Sequence, residues 1–256
     1  MPSLVTSSKQ TTREFYFLLP AYNEAASISD LILQIQEVCR SNKFDFNITV
    51  IDDGSNDHTP TIVEKLAAND SSIKIIRNSK NMGLGYSIKR GLKVISENAV
   101  PEDVIITMDA DLTQEPRYIV EMIEKIDKGA DVVIASRYRN GSHTQGLAYH
   151  RHLLSIGASL FMLTLFPIKN VRDYSCGFRM YKSSVIREAF LMWENNFVSE
   201  TGFACMVEIA AKLKPIAKFE EIPFVLKYDE KRKPSAMKIL PTVKAYIRVM
   251  AKAKRR

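Results

Sequence analysis

The sequence predicts an α/β fold, one mostly parallel sheet with helices on both faces. Two observations carry that expectation. Short, dense apolar runs recur through the first 137 residues, and stretches of helical periodicity separate them. Such runs mark strands covered on both faces, and strands alternating with helices of this length become parallel neighbours joined by crossovers. Ligands in sheets of this kind bind beyond the carboxyl ends of the strands.

The strand-like runs are Phe15 to Leu19, Ile48 to Ile51, Ile73 to Ile76, Val104 to Met108 and Val132 to Ala135. Ile28, Leu31, Ile32, Ile35 and Val38 keep the i, i+3, i+4 spacing of a helix face. Thr59-Pro60 supplies an N-cap and a first-turn proline for the next helix, through Val63 and Leu66. Gly85 to Ile95 and Tyr118 to Ile126 repeat the theme. After Arg137 the alternation lapses: a glycine-bearing loop, Asn140 to Gly146, leads to an uncharged stretch, Leu153 to Ile168. Then come Asp173 to Tyr181, helix-like Ser184 to Trp193 and Gly202 to Leu213, and a strand-like Ile222 to Lys227. With no internal repeat or low-complexity linker, the partition is a flexible N-terminus (1–13), one catalytic-sized domain (14–230) and a C-terminal segment (231–256).

The 256 residues carry 36 basic and 29 acidic side chains, a net charge of +7 that on its face suggests a polyanionic partner. Its distribution changes the inference. Residues 231–256 hold ten basic groups and no acid, so the first 230 residues carry 26 basic against 29 acidic groups. A mildly acidic body argues against nucleic acid as the partner. In the tail, Val243, Tyr246, Ile247 and Met250 share one helical face while Lys244, Arg248 and Lys252 recur at i+4 on the other, the pattern of a basic amphipathic helix. Leu153 to Ile168 is shorter than a membrane span requires and suits either a buried helix or an interfacial one. The N-terminal MPSLVTSSKQTTREF has no apolar signal region, which points to the cytoplasm. Cys39, Cys176 and Cys205 form neither a disulfide framework nor a zinc set.

Acidic residues cluster where the fold places ligands. Asp109-Ala110-Asp111 follows the fourth run directly, and two carboxylates so spaced can share a hard divalent cation whose remaining positions are filled by substrate phosphates. A solvated turn would read the same in isolation. Asp52-Asp53-Gly54-Ser55 ends the second run, where an Asx turn is the plain alternative, and Pro20-Ala21-Tyr22-Asn23-Glu24 ends the first. Their coincidence at neighbouring strand ends favours a shared site. Asn81-Met82-Gly83-Leu84-Gly85 lacks the remainder of a dinucleotide fingerprint. The histidines, His58, His143, His150 and His152, have neither triad nor zinc spacing.

Taken together, Leu19-Pro20-Ala21-Tyr22-Asn23-Glu24, Ile51 to Asp57, Gly83-Leu84-Gly85, Asp109-Ala110-Asp111-Leu112, Ala135-Ser136-Arg137-Tyr138 and Ser175-Cys176-Gly177-Phe178-Arg179 stand in the order seen in inverting GT-A glycosyltransferases. Over about residues 14–240 the chain most resembles the dolichyl-phosphate (polyprenyl-phosphate) mannose or glucose synthases. The resemblance implies a GT-A (Rossmann-like) enzyme on the cytosolic face of a membrane that moves a sugar from a nucleotide diphosphate donor to a polyprenyl phosphate. Pro20, Tyr22, Glu24, Ile51 and Asp53 would hold the base and ribose. Asp109, Ala110 and Asp111 would meet the diphosphate and a Mg²⁺ or Mn²⁺ ion, with Thr113 at the family's third metal-proximal position and Gln114 beside it. Arg137 and Arg151 would face the acceptor phosphate, and Arg232 and Lys238 the donor phosphates.

A phosphate monoester is largely a dianion at pH 7, since its second pKa is about 6. Such an acceptor needs no general base, whereas a hydroxyl acceptor does. A GT-A enzyme acting on a saccharide hydroxyl is the rival reading, with Asp173 or Glu200 as its base. A non-catalytic basic protein that binds membrane or nucleic acid through its tail is the reading from outside enzymes. The sequence leaves donor, metal and oligomeric state open.

Overall fold

A computed structural model describes residues 13–146, 157, 162–164, 166–232, 242 and 244–249. Seven strands form the main sheet in the order β3-β2-β1-β4-β7-β5-β8. They are β1 (Glu14–Ala21), β2 (Asp45–Asp52), β3 (Ile73–Arg77), β4 (Val104–Thr107), β5 (Val132–Ser136), β7 (Arg179–Lys182) and β8 (Phe219–Pro223). The helices are α1 (Ile28–Ser41), α2 (Thr59–Asn69), α3 (Leu84–Asn98), α4 (Ile119–Asp127), α5 (Ser183–Trp193) and α6 (Ala204–Leu213). The α/β expectation holds, because every residue of β4 and β5 is buried, as strands sandwiched between helix layers must be. α1 turns Ile28, Leu31, Ile32 and Ile35 onto the sheet, with Cys39 completing the buried stripe and Val38 half-buried at its margin.

Four local expectations need correction. Thr59 does not cap α2: it is the helix's first residue, and its N–H donates to Asp57 Oδ1 at 2.9 Å, so the aspartate two residues earlier satisfies the free helix end. The run Ile222 to Lys227 is two strands. Pro223 has no N–H with which to extend pairing along β5, and the chain crosses to form β9 (Val225–Lys227) beside β6 (His143–Gln145), a strand inside the expected glycine loop. β7 lies within a stretch that has no strand signature, and it runs antiparallel to both β4 and β5. Its leading residue, Arg179, is fully buried, and its guanidinium donates to the carbonyls of Cys176, Met206 and Tyr174 at 2.7–2.8 Å.

The fourth concerns the tail. The helical segment 244–249 buries Ala245, Tyr246 and Val249, whereas Ile247, expected on the apolar face, is 49% exposed. Val243 and Met250 lie outside the described residues, as does most of Leu153 to Ile168, of which Met162 and Ile168 are buried. Among the described residues no helix is long and apolar enough to cross a membrane.

Candidate functional site

The chain leaves β1 for β2 and β3 on one side, and β4 then lies on β1's other side. That reversal is a topological switch point, and a crevice opens beyond the carboxyl ends of β1 and β4. The three polar strand ends read from the sequence emerge there side by side, since β2, β1 and β4 are sheet neighbours.

On the β1–β2 side the loops are stapled together. Asn23 adopts φ 56°, a left-handed turn that asparagine tolerates. Its N–H donates to Ser55 Oγ at 2.9 Å, and its Oδ1 accepts the Asn56 N–H at 2.8 Å. The Glu24 N–H donates to Thr59 Oγ1 at 2.8 Å, and Tyr22 stays 37% exposed at the crevice. Asp52 makes the anticipated Asx turn, accepting the Ser55 N–H at 3.2 Å. Asp53 is buried, and its carboxylate accepts from Asn78 Nδ2 at 2.7 Å and from the Met82 and Gly83 N–H groups at 3.0 and 2.8 Å. It thereby draws the Asn81–Gly85 turn to the same edge. Pro20 and Ile51 pair within the β1–β2 ladder just behind.

At the end of β4 the two carboxylates are individually supported. The Gln114 amide clasps Asp109, donating to Oδ2 at 2.8 Å while its Oε1 accepts the Asp109 N–H at 3.0 Å. The Thr113 hydroxyl donates to Asp111 Oδ1 at 2.6 Å, and its N–H does so at 3.2 Å. Thr113 therefore stands as a support of Asp111. The Ala110 carbonyl accepts from Ser27 Oγ at 2.8 Å, tying the loop to the start of α1. Leu112 sits at φ 66°, a conformation a leucine holds only where its surroundings impose it. Gly177 lets the chain pass close to Asp109: a Cβ there would stand 2.9 Å from Asp109 Oδ1 and push that carboxylate aside.

Burial and then the Asp111 charge push the Asp109 carboxyl up to about 7, despite the opposing fields of Lys231 and Arg137. The pair thus has a deficit of positive charge. Two hard oxygen donors of this kind fit a Mg²⁺- or Mn²⁺-like ion that completes its shell with phosphates and water. Among the described residues no cluster of three or more His, Cys, Asp or Glu side chains is placed to hold a metal.

Across the edge, beyond β5, Arg137 forms a bidentate pair with Asp173, Nε to Oδ2 and Nη2 to Oδ1, both 2.7 Å, and Nη2 also donates to Ser175 Oγ at 2.7 Å. Asp173 is fully buried and further accepts the N–H groups of Arg137, Ser175 and Cys176. Burial alone would raise its pKa, but the Arg137 charge and these hydrogen bonds outweigh it and hold the carboxyl below its ordinary range. Glu221, buried beneath, accepts the Arg172 and Asp173 N–H groups at 2.7 Å each and pairs with Arg139 at 2.9 Å. The tail reaches the same place. Tyr246 is buried there, and its burial raises the hydroxyl's pKa to about 12. Arg248 pairs with Glu200 at 3.2 Å.

The basic residues after β9 do not fall as the motif suggests. Arg232 turns to α1, donating to the Ala26 carbonyl and, at 2.8 Å, to Asp30 Oδ2. Its neighbour Lys231 turns inward and donates from Nζ to Asp111 Oδ2. Arg151 and Lys238 lie outside the described residues. Sequence reasoning missed Lys231, the supporting role of Ser175 and the burial of Tyr246 at this edge. Only Tyr246 carried a signal, its place on the apolar face of the tail.

The family described as Glycosyl transferase family 2 matches residues 16–190. Among characterised proteins, the chain is 31% identical over 208 residues to a dolichol-phosphate mannosyltransferase of Pyrococcus furiosus, a match covering 81% of this chain and 54% of that one. It is 31% identical over 171 residues to an undecaprenyl-phosphate 4-deoxy-4-formamido-L-arabinose transferase of Edwardsiella ictaluri, covering 66% and 49%. A polyprenol monophosphomannose synthase of Mycolicibacterium smegmatis is 25% identical over 207 residues, covering 77% and 71%. The chain thus spans about half the length of the first two relatives. Among solved structures, glucosyl-3-phosphoglycerate synthase of Mycobacterium tuberculosis, in complex with Mn²⁺, uridine diphosphate and phosphoglyceric acid, superposes with a TM-score of 0.64 at 16% identity over 94% of this chain and 78% of that one. That likeness is one of GT-A fold.

Proposed function

Because the chain belongs to glycosyl transferase family 2, we propose that it transfers mannose or glucose from a nucleotide diphosphate sugar to a polyprenyl phosphate, with inversion, at the cytosolic face of a membrane. The observation that carries the choice of acceptor is the state of the candidate bases. Asp173 is buried in a bidentate pair with Arg137 and is held below the ordinary carboxylate range, and Glu200 pairs with Arg248. A carboxylate held as Asp173 is makes a poor proton acceptor, which disfavours a hydroxyl acceptor that would rely on it. A phosphate dianion needs no base.

The roles are those the resemblance implies, and position at the sheet edge supports them. Pro20, Tyr22, Glu24, Ile51 and Asp53 line the donor's nucleoside end at the β1–β2 edge, and Ala110 offers backbone beside the diphosphate. Asp109 and Asp111 would hold a divalent cation, which when bound supplies Lewis-acid stabilisation to the departing diphosphate. Arg137, whose Nε and Nη2 are fixed in direction by Asp173 and Ser175, aims the acceptor phosphate with a charge that is permanent. Arg151 and Lys238 are assigned to the acceptor and donor phosphates by resemblance. As a phosphate oxygen bonds to the anomeric carbon, the bond to the nucleotide diphosphate breaks on the opposite side, and the configuration inverts. Lys244 and Arg248, exposed on the tail helix, give the domain a basic surface for an anionic membrane.

Incubation with a panel of nucleotide sugars and a short polyprenyl phosphate, with and without EDTA, tests the reading. Transfer that EDTA abolishes is expected from one donor, with the product's anomeric configuration opposite to the donor's. Absence of metal-dependent transfer from every donor overturns it.

A further inference from the structure

Both oxygens of Asp111 are engaged: Oδ1 by Thr113, Oδ2 by the Lys231 ammonium. The ammonium is not a stray surface charge. The Lys231 side chain is 16% exposed and that of Asp111 8%, and the Tyr228 ring centroid lies 5.6 Å from Nζ. The segment that carries it runs alongside the metal loop, with the Lys227 N–H on the Thr113 carbonyl at 3.0 Å and Lys227 Nζ on Glu115 at 3.1 Å. Residues 227–231 therefore form a strap over the 111–115 loop, anchored at one end by a backbone hydrogen bond and at the other by an ion pair.

We infer that Lys231 is an exchangeable counter-ion of the Asp109–Asp111 pair: a divalent cation gains Asp111 by displacing the ammonium, which then serves the donor's diphosphate. The inference rests on the proposed function for the identity of that donor. The charge balance supports the order of events. One ammonium leaves two carboxylates under-compensated, and replacing it by a doubly charged ion neutralises them. A diphosphate then restores the negative charge, giving the released ammonium an anion within the strap's reach. Metal binding alone works against Lys231, whereas metal together with nucleoside diphosphate works with it.

The test is direct Mn²⁺ binding to the full chain, read by the electron paramagnetic resonance signal of free Mn²⁺, for wild type, Lys231→Met, Lys231→Arg and Asp111→Asn. Circular dichroism and melting check that each variant is folded. Without nucleotide, Lys231→Met is expected to bind Mn²⁺ about three- to tenfold more tightly than wild type, the size of one partly exposed ion pair. Lys231→Arg, which keeps the charge, should match wild type or bind more weakly, and Asp111→Asn should lose binding. With uridine or guanosine diphosphate added, the advantage of Lys231→Met should shrink or reverse. Unchanged or weaker Mn²⁺ binding by Lys231→Met without nucleotide overturns the inference. So does an absence of Mn²⁺ binding by wild type even with nucleoside diphosphate, which also removes the metal from the proposed function. If the exchange is seen but no donor is used, the proposed function alone falls.

Discussion

At the end of β4 two carboxylates share a pocket, and the Asp109 pKa rises to about 7; at the end of β5 a carboxylate faces a guanidinium, and the Asp173 pKa falls. The two regions lie on the same sheet edge, with Asp173 fully buried and Asp109 half-buried, yet the less buried one is electrostatically frustrated and the more buried one satisfied. Burial penalises every charge, so the sign of the neighbour decides the outcome. A group that must hold a mobile cation gains from being left short of positive charge. A group that must present one fixed cation in one direction gains from a completed pair, which cannot easily rotate or lose its proton.

The largest effect should come from breaking the satisfied side. Asp173→Asn leaves the Arg137 guanidinium without its counter-charge in a site where the pair is nearly dry, and loss of one partner of a buried pair typically costs about 3–5 kcal/mol. Urea unfolding should show that loss, together with a collapse of transfer. The pH dependence gives the sign. The folded pKa of Asp173 lies below its unfolded value, so its contribution is present above about pH 4 and is lost as the pH falls through the folded pKa. The gap between wild type and Asp173→Asn should therefore narrow in acid. A gap that stays constant would show that the pair's charge is not what stabilises the edge.

Asp109→Asn should do the reverse. The folded pKa of Asp109 lies above its unfolded value, so its stabilising contribution is complete below about pH 4 and is lost as the pH rises through about 7. In EDTA at pH 8 the amide should be more stable than wild type by ~1–2 kcal/mol, discounted from the full shift for residual solvent screening, while transfer is lost. Melting temperatures of the two proteins from pH 5 to 8 test this, and a wild type that gains on the variant as the pH rises contradicts it. A stabilised but inactive variant is the signature of strain kept for binding.

Much of this edge was legible because its chemistry sits directly after apolar runs. Asp109-Ala110-Asp111 follows the buried residues Val104 to Met108 directly, and the strand register then carries it to the switch point without further information. β7 was not legible, because its Arg179 and Lys182 look like surface charges. Three backbone carbonyls satisfy the Arg179 guanidinium and Asp131 pairs with Lys182, and those partners are distant in sequence. The tail was half legible: periodicity found Tyr246 but put Ile247 on the same face, because a helical wheel does not know which side of the helix its neighbours cover. The choice between Lys231 and Arg232 was not legible at all. Two adjacent basic residues present the same charge, and the turn Tyr228–Glu230 decides which one faces the crevice.

That last distinction yields the smallest effect. The Arg232–Asp30 pair is about half exposed on both sides, so it should contribute at most ~0.5 kcal/mol, and Arg232→Ala should shift the melting temperature by no more than about 1 °C. Its effect on the donor should be equally modest, because the guanidinium is occupied at the start of α1 while the Lys231 ammonium already stands among the metal-side carboxylates. We expect KM for the nucleotide sugar to rise less than about threefold in Arg232→Ala and more in Lys231→Met. The two variants differ by one position and one unit of charge is removed in each, so a general loss of basic field cannot rank them; only direction can. The opposite ranking would mean that donor binding draws Arg232 off α1, and would return to it the phosphate role that the motif assigns.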